Sequence, residues 1–303
     1  MVKDFIDTNH FTKQELLDII ELSLAIKKAI KSGYYPPLMK NKTLGMIFQQ
    51  SSTRTRVSFE TGMYQLGGQP LFLSPRDLQI GRGEPLCDTA RVLSRYLDGL
   101  MIRTFAQQEV EDFAKFGSIP VINALTDFAH PCQVMADLQT IREYHKTTEG
   151  KKLCFIGDGN NMANSLIVGG LKAGMSVSVA TPKDYAPDKT VMEFAAAYGD
   201  KFQWVQDPME GAAGADVLYT DVWASMGQES EQAIREKAFA GFQINAKVME
   251  AANPGAMVLH CLPAHRGEEI IDAAFEAHAN EIFDEAENRL HAQKAVMVRC
   301  MAK

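Results

Sequence analysis

Short apolar runs alternate with amphipathic helical patterns along most of the chain, and this alternation restricts the possible folds more than any other feature. The apolar runs are TLGMIFQ (43–49), DGLMIRT, IPVINAL, KLCFIG, SVSVAT, ADVLYTD and AMVLHCL (256–262). Helical patterns lie between them, for example from Lys13 to Gly33, where a glycine ends the helix. Such alternation predicts doubly wound α/β domains, in which helices cover both faces of a parallel sheet.

The polar stretch KTTEGKK at residues 146–152 separates two series of strands and helices. A chain of 303 residues is long enough for two domains of ordinary size. The sequence therefore predicts an α/β domain over 1–146 and a second over 147–285, with a last helix over about 286–303 that packs back onto the first. Ligands of open α/β sheets bind at the carboxyl ends of strands, so polar residues that follow a strand are site candidates.

Composition excludes several classes of protein. Hydrophobic residues make up 46% and charged residues 23%, as in soluble globular proteins. The net charge of −7 argues against nucleic acid as a partner. The N-terminal residues lack the apolar core of a signal peptide, and no apolar run reaches the roughly 18 residues of a membrane span, so we expect a cytoplasmic protein without membrane contact. Five scattered cysteines without a C-x-x-C pair predict free thiols and no zinc site.

The stretch SSTRTR at residues 51–56 lies between a predicted strand and a predicted helix. The helix is indicated by the apolar residues Val57, Met63 and Leu66. A helix N-terminus has unpaired N–H groups and partial positive charge, and here hydroxyls with Arg54 and Arg56 add further donors for a tetrahedral anion. The stretch thus predicts a phosphate site, although a plain N-cap with solvated arginines explains the same residues.

Further motifs follow other predicted strands: MIRT, with Arg103; HPCQ (130–133); DVWASMG (221–227); and HCLPAHRGEE (260–269). Together with SSTRTRVSFE and the late FDEAENRLHAQKA, they resemble the aspartate/ornithine carbamoyltransferase family along nearly the whole chain, in family order. The resemblance implies two α/β domains with the active site in the cleft between them, a homotrimer or a multiple of trimers, and no metal or cofactor. It implies transfer of a carbamoyl group from carbamoyl phosphate to an amine, through a tetrahedral intermediate.

The resemblance also implies which residues bind carbamoyl phosphate. They are Ser52, Thr53, Arg54, Thr55, Gln79, Arg103, His130, Gln133, Cys261, Leu262 and Arg289. Arg103, with His130 and Thr55, would stabilise the oxyanion of the tetrahedral centre, since donors aimed at developing charge lower the barrier. Gln133 would accept from the carbamoyl NH₂, and Gln79 would reach the phosphate of a neighbouring subunit. Arg289 and the carbonyls of Cys261 and Leu262 would hold the carbamoyl end.

For the amine, the resemblance is strongest to family members that act on L-ornithine and give L-citrulline and phosphate. Asp221 and Ser225 suit an α-ammonium group, and the backbone N–H of Met226 suits an α-carboxylate. Asn161 would assist them, and Cys261 would lie beside the reactive amine with Asp221 nearby. The implied catalytic residues are Arg103, His130, Cys261 and Asp221.

Each residue also has a structural explanation. His130 could be a satisfied loop histidine, Arg103 could pair with a surface carboxylate, and Cys261 could be a small buried hydrophobe. Gln49 and Gln50 replace the Glu-Lys pair expected in ornithine-specific members and resemble the putrescine-specific ones, which lack the SMG sequence. The alternatives are therefore putrescine as the amine, or a non-catalytic carbamoyl-phosphate-binding paralogue. Aspartate is disfavoured as the amine, because the phosphate loop of aspartate-specific members normally carries a lysine. In this chain Arg82 is the only cation near the corresponding place.

A nicotinamide-dependent dehydrogenase is a further alternative, because GDGNNM follows a predicted strand. The stretch lacks the third glycine of the dinucleotide fingerprint, and Met162 stands in its place. The sequence therefore disfavours this class.

Overall fold

The computed structural model describes residues 4–74, 76, 78, 79, 83–225 and 229–302. The chain divides into two compact units: unit 1 comprises Met1–Gln139 and Asn288–Lys303, and unit 2 comprises Thr140–Glu287. Each unit contains one parallel sheet with helices, which confirms the predicted fold class. The predicted domain limits at 146 and 285 remain predictions.

Unit 1 is built on a four-stranded parallel sheet of order β2-β1-β3-β4. Its strands are β1 (Thr43–Phe48), β2 (Gln69–Leu73), β3 (Gly99–Arg103) and β4 (Val121–Leu125). The helices that contribute to unit 1 are α1 (Lys13–Lys31), α2 (Thr53–Gln65), α3 (Leu86–Leu93), α4 (Gln107–Phe116), most of α5 (Pro131–His145) and the second half of α12 (Ala279–Met301). Strands β1 and β3 are buried almost throughout, as expected for central strands covered on both faces.

Unit 2 is built on a five-stranded parallel sheet of order β7-β6-β5-β8-β9. Its strands are β5 (Lys152–Ile156), β6 (Ser176–Ala180), β7 (Phe202–Val205), β8 (Val217–Thr220) and β9 (Met257–His260). Besides the end of α5 and the start of α12, its helices are α6 (Asn161–Lys172), α7 (Lys189–Ala196), α8 (Pro208–Ala212), α9 (Gln232–Ala238), α10 (Ala246–Ala251) and α11 (Asp272–Ala277). The core includes buried residues from strands β5, β6, β8 and β9 and from the helices around them.

The strand order reverses direction once in each sheet. In unit 1 the chain moves outward from β1 to β2 and then returns to β3 on the other side of β1. In unit 2 it moves from β5 through β6 to β7 and returns to β8 beside β5. Loops at such a reversal leave the sheet in opposite directions and open a crevice at the carboxyl ends of the two strands, where ligands bind.

All seven strands predicted from apolar runs are present, whereas the edge strands β2 and β7 were not predicted. β2 contains a proline and only three consecutive apolar residues after it, and all five of its residues are exposed or half-buried, unlike those of a central strand. The helix predicted after SSTRTR is present as α2, with Met63 and Leu66 buried and Val57 exposed. Within the described part of the chain, no helix is both long and apolar enough to cross a membrane.

Candidate functional site

The N-terminus of α2 in unit 1 is capped by Ser52. The Ser52 hydroxyl oxygen accepts a hydrogen bond from the Thr55 N–H at 3.2 Å, so the stretch is a true N-cap. Thr53 and Arg54 are exposed, whereas Thr55 is buried. The cap thus uses the Ser52 hydroxyl and leaves the hydroxyl of Thr53 and the guanidinium of Arg54 at the helix end that attracts anions.

The two arginines of the stretch differ in their surroundings. Arg56 donates from Nε to Glu60 Oε1 at 3.0 Å, one helical turn away, and its guanidinium lies 3.7 Å from the centre of the Phe72 ring. Arg56 is therefore held by α2 and the edge strand β2. Arg54 instead adds positive charge around the buried His130. Of the two arginines, Arg54 is the better candidate for binding an anion.

Positive charge is concentrated around His130 inside unit 1. The exposed fractions of Arg103, His130 and Arg289 are only 4%, 5% and 3%. The pKa of His130 lies well below its ordinary value because the ring is buried and because Arg289, Arg103 and Arg54 surround it with positive charge. His130 is therefore neutral, and the guanidinium groups near it favour a bound anion. The burial of Arg103 contradicts the alternative of a surface ion pair.

Arg289 of α12 joins two of the predicted site residues. Its Nη2 donates to Thr55 Oγ1 at 3.2 Å, and its Nη1 donates to Gln133 Oε1. Gln133 in turn donates from Nε2 to Asp137 Oδ1 at 2.8 Å. The oxygen predicted to accept from a carbamoyl NH₂ thus accepts from Arg289, which orients the Gln133 amide.

Gln79, the residue predicted to reach a neighbouring subunit, is exposed in the segment that follows β2. Its carbonyl accepts from the Glu84 N–H at 3.4 Å. Gln79 does not belong to the buried cluster around His130, and its predicted role depends on a second copy of the chain.

In unit 2, Asp221 follows β8 and is buried. The sheet register pairs Thr220 with Ile156 and with His260, so the residues after β5, β8 and β9 become neighbours. Asp221 Oδ1 accepts from Cys261 Sγ at 3.0 Å, and Oδ2 accepts from Asn160 Nδ2 at 3.0 Å. The thiol of Cys261 is half-buried and hydrogen-bonded, which contradicts its interpretation as a small buried hydrophobe.

Asn160 was not predicted as a site residue, whereas its neighbour Asn161 was. Asn160 is the N-cap of α6, and its Oδ1 accepts from the N–H groups of Met162 and Ala163. Asn161 is the first residue of the helix, and its carbonyl accepts from Ser165. The capping pattern of the sequence indicates a helix start at one of these two residues, but only the fold reveals that the side chain of Asn160 also orients Asp221.

The loop that carries Cys261 is held by residues on both sides of it. The His260 N–H donates to Glu285 Oε2 at 2.9 Å, and His260 Nδ1 accepts from the Leu262 N–H at 2.9 Å. Because Nδ1 accepts, Nε2 carries the proton and donates to the buried Glu269 at 3.0 Å. Leu262 has φ 57°, the left-handed region that L-residues rarely adopt. These contacts fix the backbone on both sides of Cys261.

The loop after β8 is anchored by Arg235 of α9. Arg235 donates from Nη1 to Asp158 Oδ2 at 2.7 Å and to the Trp223 carbonyl at 3.0 Å, and this pair is buried. Burial raises the pKa of Asp158, while the charge of Arg235 opposes that rise. Ser225 follows shortly after Trp223 in the same loop and is half-buried. Met226, predicted to bind an α-carboxylate, lies outside the described residues.

The fold and the two clusters define a class: a two-unit α/β protein with a buried arginine cluster around His130 in one unit and an acidic, thiol-containing cluster around Asp221 in the other. The family model described as the aspartate/ornithine carbamoyltransferase carbamoyl-P binding domain matches residues 3–143, and that of the Asp/Orn binding domain matches residues 149–300. The chain therefore belongs to the aspartate/ornithine carbamoyltransferase family, as its motifs predicted.

Relatives cover the chain from end to end. Ornithine carbamoyltransferase from Syntrophotalea carbinolica is 56% identical over 302 residues, 100% of each chain. The solved structure of ornithine carbamoyltransferase from Pyrococcus furiosus matches with a TM-score of 0.94 and 48% identity, over 99% of this chain and 97% of that one. Anabolic ornithine carbamoyltransferase from Campylobacter jejuni matches with a TM-score of 0.93 and 42% identity, over 99% of both chains.

Proposed function

We propose that the protein transfers the carbamoyl group of carbamoyl phosphate to the δ-amine of L-ornithine, giving L-citrulline and phosphate. The observation that carries the proposal is the neutral, buried His130 among Arg54, Arg103 and Arg289. His130 and the first two arginines lie within residues 3–143, which match the carbamoyl-P binding domain. A charged phosphate needs cations, whereas a carbamoyl oxygen that becomes negative needs donors held in place before the reaction. This cluster supplies both.

In the proposed reaction, the N-terminal turn of α2 binds the phosphate through Ser52, Thr53, Arg54 and Thr55. Arg103 bridges phosphate and carbonyl oxygen. His130 and Thr55 donate to the same oxygen when it becomes an oxyanion. Gln133 and Arg289, with the carbonyls of Cys261 and Leu262, orient the carbamoyl group.

The amine half of the reaction is assigned to unit 2. Asp221, Ser225, Asn161 and the Met226 N–H would bind the amino-acid end of ornithine, and Cys261 would lie beside its δ-amine. The neutral amine attacks the carbamoyl carbon, the C–O bond to phosphate breaks as the tetrahedral intermediate collapses, and the nitrogen loses one proton. The position of the active site between the domains and the cytoplasmic location remain predictions.

A homotrimer is the proposed assembly, with Gln79 of one chain completing the phosphate site of its neighbour. The proposal is supported by exposed apolar side chains on the α2 surface and on the adjacent edge strand β2. These side chains are Val57, Tyr64, Leu71 and Phe72. An edge strand with exposed apolar residues is a surface that proteins normally cover by association.

The proposed function is tested by measuring ureido-product formation from carbamoyl phosphate with L-ornithine, putrescine and L-aspartate at matched concentrations. A strong preference for ornithine is expected. A preference for putrescine would contradict the amine assignment, and inactivity with all three would favour the non-catalytic paralogue.

A matched pair of cysteine variants tests the amine half-site. Cys261→Ala is expected to lower kcat roughly tenfold or more, because it removes the thiol that donates to Asp221. Cys87→Ala serves as the control, since Cys87 is a half-buried free cysteine on α3 of unit 1. Equal activity of the two variants would contradict a role for Cys261 in catalysis.

A further inference from the structure

The residues Gln49 and Gln50, which depart from the family pattern, lie between the end of β1 and Ser52. Gln49 donates from Nε2 to Glu109 Oε2 of α4 at 3.0 Å. The buried Gln50 hydrogen-bonds the Asp127 carboxylate. Both side chains therefore bind carboxylates of unit 1 that follow the neighbouring strands β3 and β4.

Glu109 connects this loop with the end of β3. The same Oε2 atom of Glu109 also accepts from the hydroxyl of Thr104, which is fully buried and directly follows Arg103. A backbone hydrogen bond connects the same two segments, since the Gln49 N–H donates to the Arg103 carbonyl at 2.9 Å. One carboxylate oxygen thus links the segment before the phosphate loop to the segment that carries Arg103.

We propose that Glu109 is a positioning residue that holds residues 51–56, the proposed phosphate loop at the start of α2, against Arg103. Gln49 is the amide that donates to Glu109. The inference deepens the proposed function, because the loop and Arg103 are there assigned to carbamoyl phosphate. It follows that the Gln49-Gln50 pair organises the carbamoyl-phosphate half-site and does not select the amine. A glutamate at position 49 would place two carboxylates at hydrogen-bonding distance, where like charges repel and no proton joins them.

Exchanging the amide of Gln49 and the carboxylate of Glu109 between the two positions tests the positioning role of Glu109. Gln49→Glu is expected to raise the Kd for carbamoyl phosphate roughly tenfold, because a charged hydrogen bond is replaced by repulsion. The double variant Gln49→Glu with Glu109→Gln restores an amide–carboxylate pair in the opposite sense, and its Kd is expected to return to within about threefold of wild type. Isothermal titration measures the Kd of the single and the double variant, first for carbamoyl phosphate and separately for inorganic phosphate.

Gln108→Glu is the matched control. Gln108 precedes Glu109 on α4, is exposed, and donates to Asp112 Oδ1 at 3.0 Å. The control therefore makes the same change opposite a carboxylate, on the same helix, and is expected to leave phosphate affinity unchanged. Thr104→Val, which removes the other donor to Glu109, is expected to weaken phosphate binding and provides a second test if Gln49→Glu does not fold.

Two results would overturn the proposal. One is a double variant that binds phosphate as weakly as Gln49→Glu. The other is a Gln49→Glu variant with normal phosphate affinity and a changed ratio of kcat/KM for ornithine over putrescine, which would make the pair a reader of the amine. Failure of the wild-type protein to bind carbamoyl phosphate would instead refute the proposed function. The phosphate titrations of the variants would still report on the position of the loop.

Discussion

His130 is the residue whose environment says most about the chemistry of unit 1. Its ring is buried, and Arg289, Arg103 and Arg54 place positive charge around it, so protonation is disfavoured twice. A neutral imidazole can donate one hydrogen bond to an oxyanion without adding a fourth positive charge. In the proposed function, the arginines supply positive charge to the anion, and His130 supplies a directed hydrogen bond to the oxyanion.

The depressed pKa of His130 predicts how stability depends on pH. The unfolded chain takes up a proton near the ordinary value of 6.5, whereas the folded chain does not, so the free energy of unfolding falls as the pH drops below 6.5. The slope from this residue approaches about 1.4 kcal/mol per pH unit. Urea unfolding between pH 7.5 and 5 measures it.

Variants separate His130 from the other histidines. His130→Asn is expected to reduce the pH slope, whereas His10→Asn, at an exposed position, is expected to keep it. Identical slopes for wild type and His130→Asn would mean that His130 is not the group responsible.

The amine substrate predicts a second pH dependence. A δ-ammonium resembles lysine, with a pKa near ~10.4, so roughly one molecule in a few hundred is nucleophilic at pH 8. The rate is therefore expected to climb from pH 7 to pH 9 when ornithine is subsaturating and carbamoyl phosphate is saturating. A flat profile over this range would show that deprotonation of the amine does not limit the reaction.

Among the elements, α2 contributes both a cap and a packing surface. Gly62 lies where α12 approaches, and a Cβ there would be 3.2 Å from Met297 Cε and 3.3 Å from Lys294 Cγ. At these distances a Cβ at position 62 requires the Met297 and Lys294 side chains to shift by a few tenths of an ångström. The close approach of the two helices is consistent with the hydrogen bond from Arg289 to Thr55 at the start of α2.

Removing the α2 cap should have two effects. Ser52→Ala is expected to lower the free energy of unfolding by about 1 kcal/mol, as for other N-caps, and to weaken phosphate binding. Asn245→Ala removes the N-cap of α10 in unit 2, where Asn245 accepts from the N–H groups of Lys247 and Val248. It should cost similar stability without changing phosphate affinity. Thermal unfolding measures the loss of stability in both variants, and titration with phosphate measures their phosphate affinities. Equal phosphate affinities of the two variants would argue against α2 as the anion site.

At the scale of the whole molecule, the surface of unit 1 predicts association. Val57 is 54% exposed on α2, and a charge there should prevent an apolar contact between chains. Val57→Glu is expected to reduce the mass measured by light scattering from three chains to one and to lower activity, because Gln79 of the neighbour is lost. Ile234→Glu is the control, at a residue 66% exposed in unit 2. A Val57→Glu protein with the mass of the wild type would contradict the proposed interface.

Much of the fold was determined by local patterns in the sequence. The central strands were predictable because burial on both faces requires continuous apolar runs, and the start of α2 was predictable because Ser52 caps its own helix within three residues. The edge strands β2 and β7 were not predictable, because few or none of their residues are buried, whereas the edge strands β4 and β9 are almost fully buried and have apolar runs.

The candidate site residues divide in the same way, into features that the sequence indicates and contacts that only the fold creates. The sequence by itself determined which polar residues follow strands, and the family resemblance proposed roles for them. Only the tertiary structure decided that the Arg56 guanidinium lies over the Phe72 ring, that Asn160 orients Asp221, and that Gln49 binds Glu109. These partners lie up to 61 residues apart in the chain, and no local pattern encodes a pairing that depends on strand order and register.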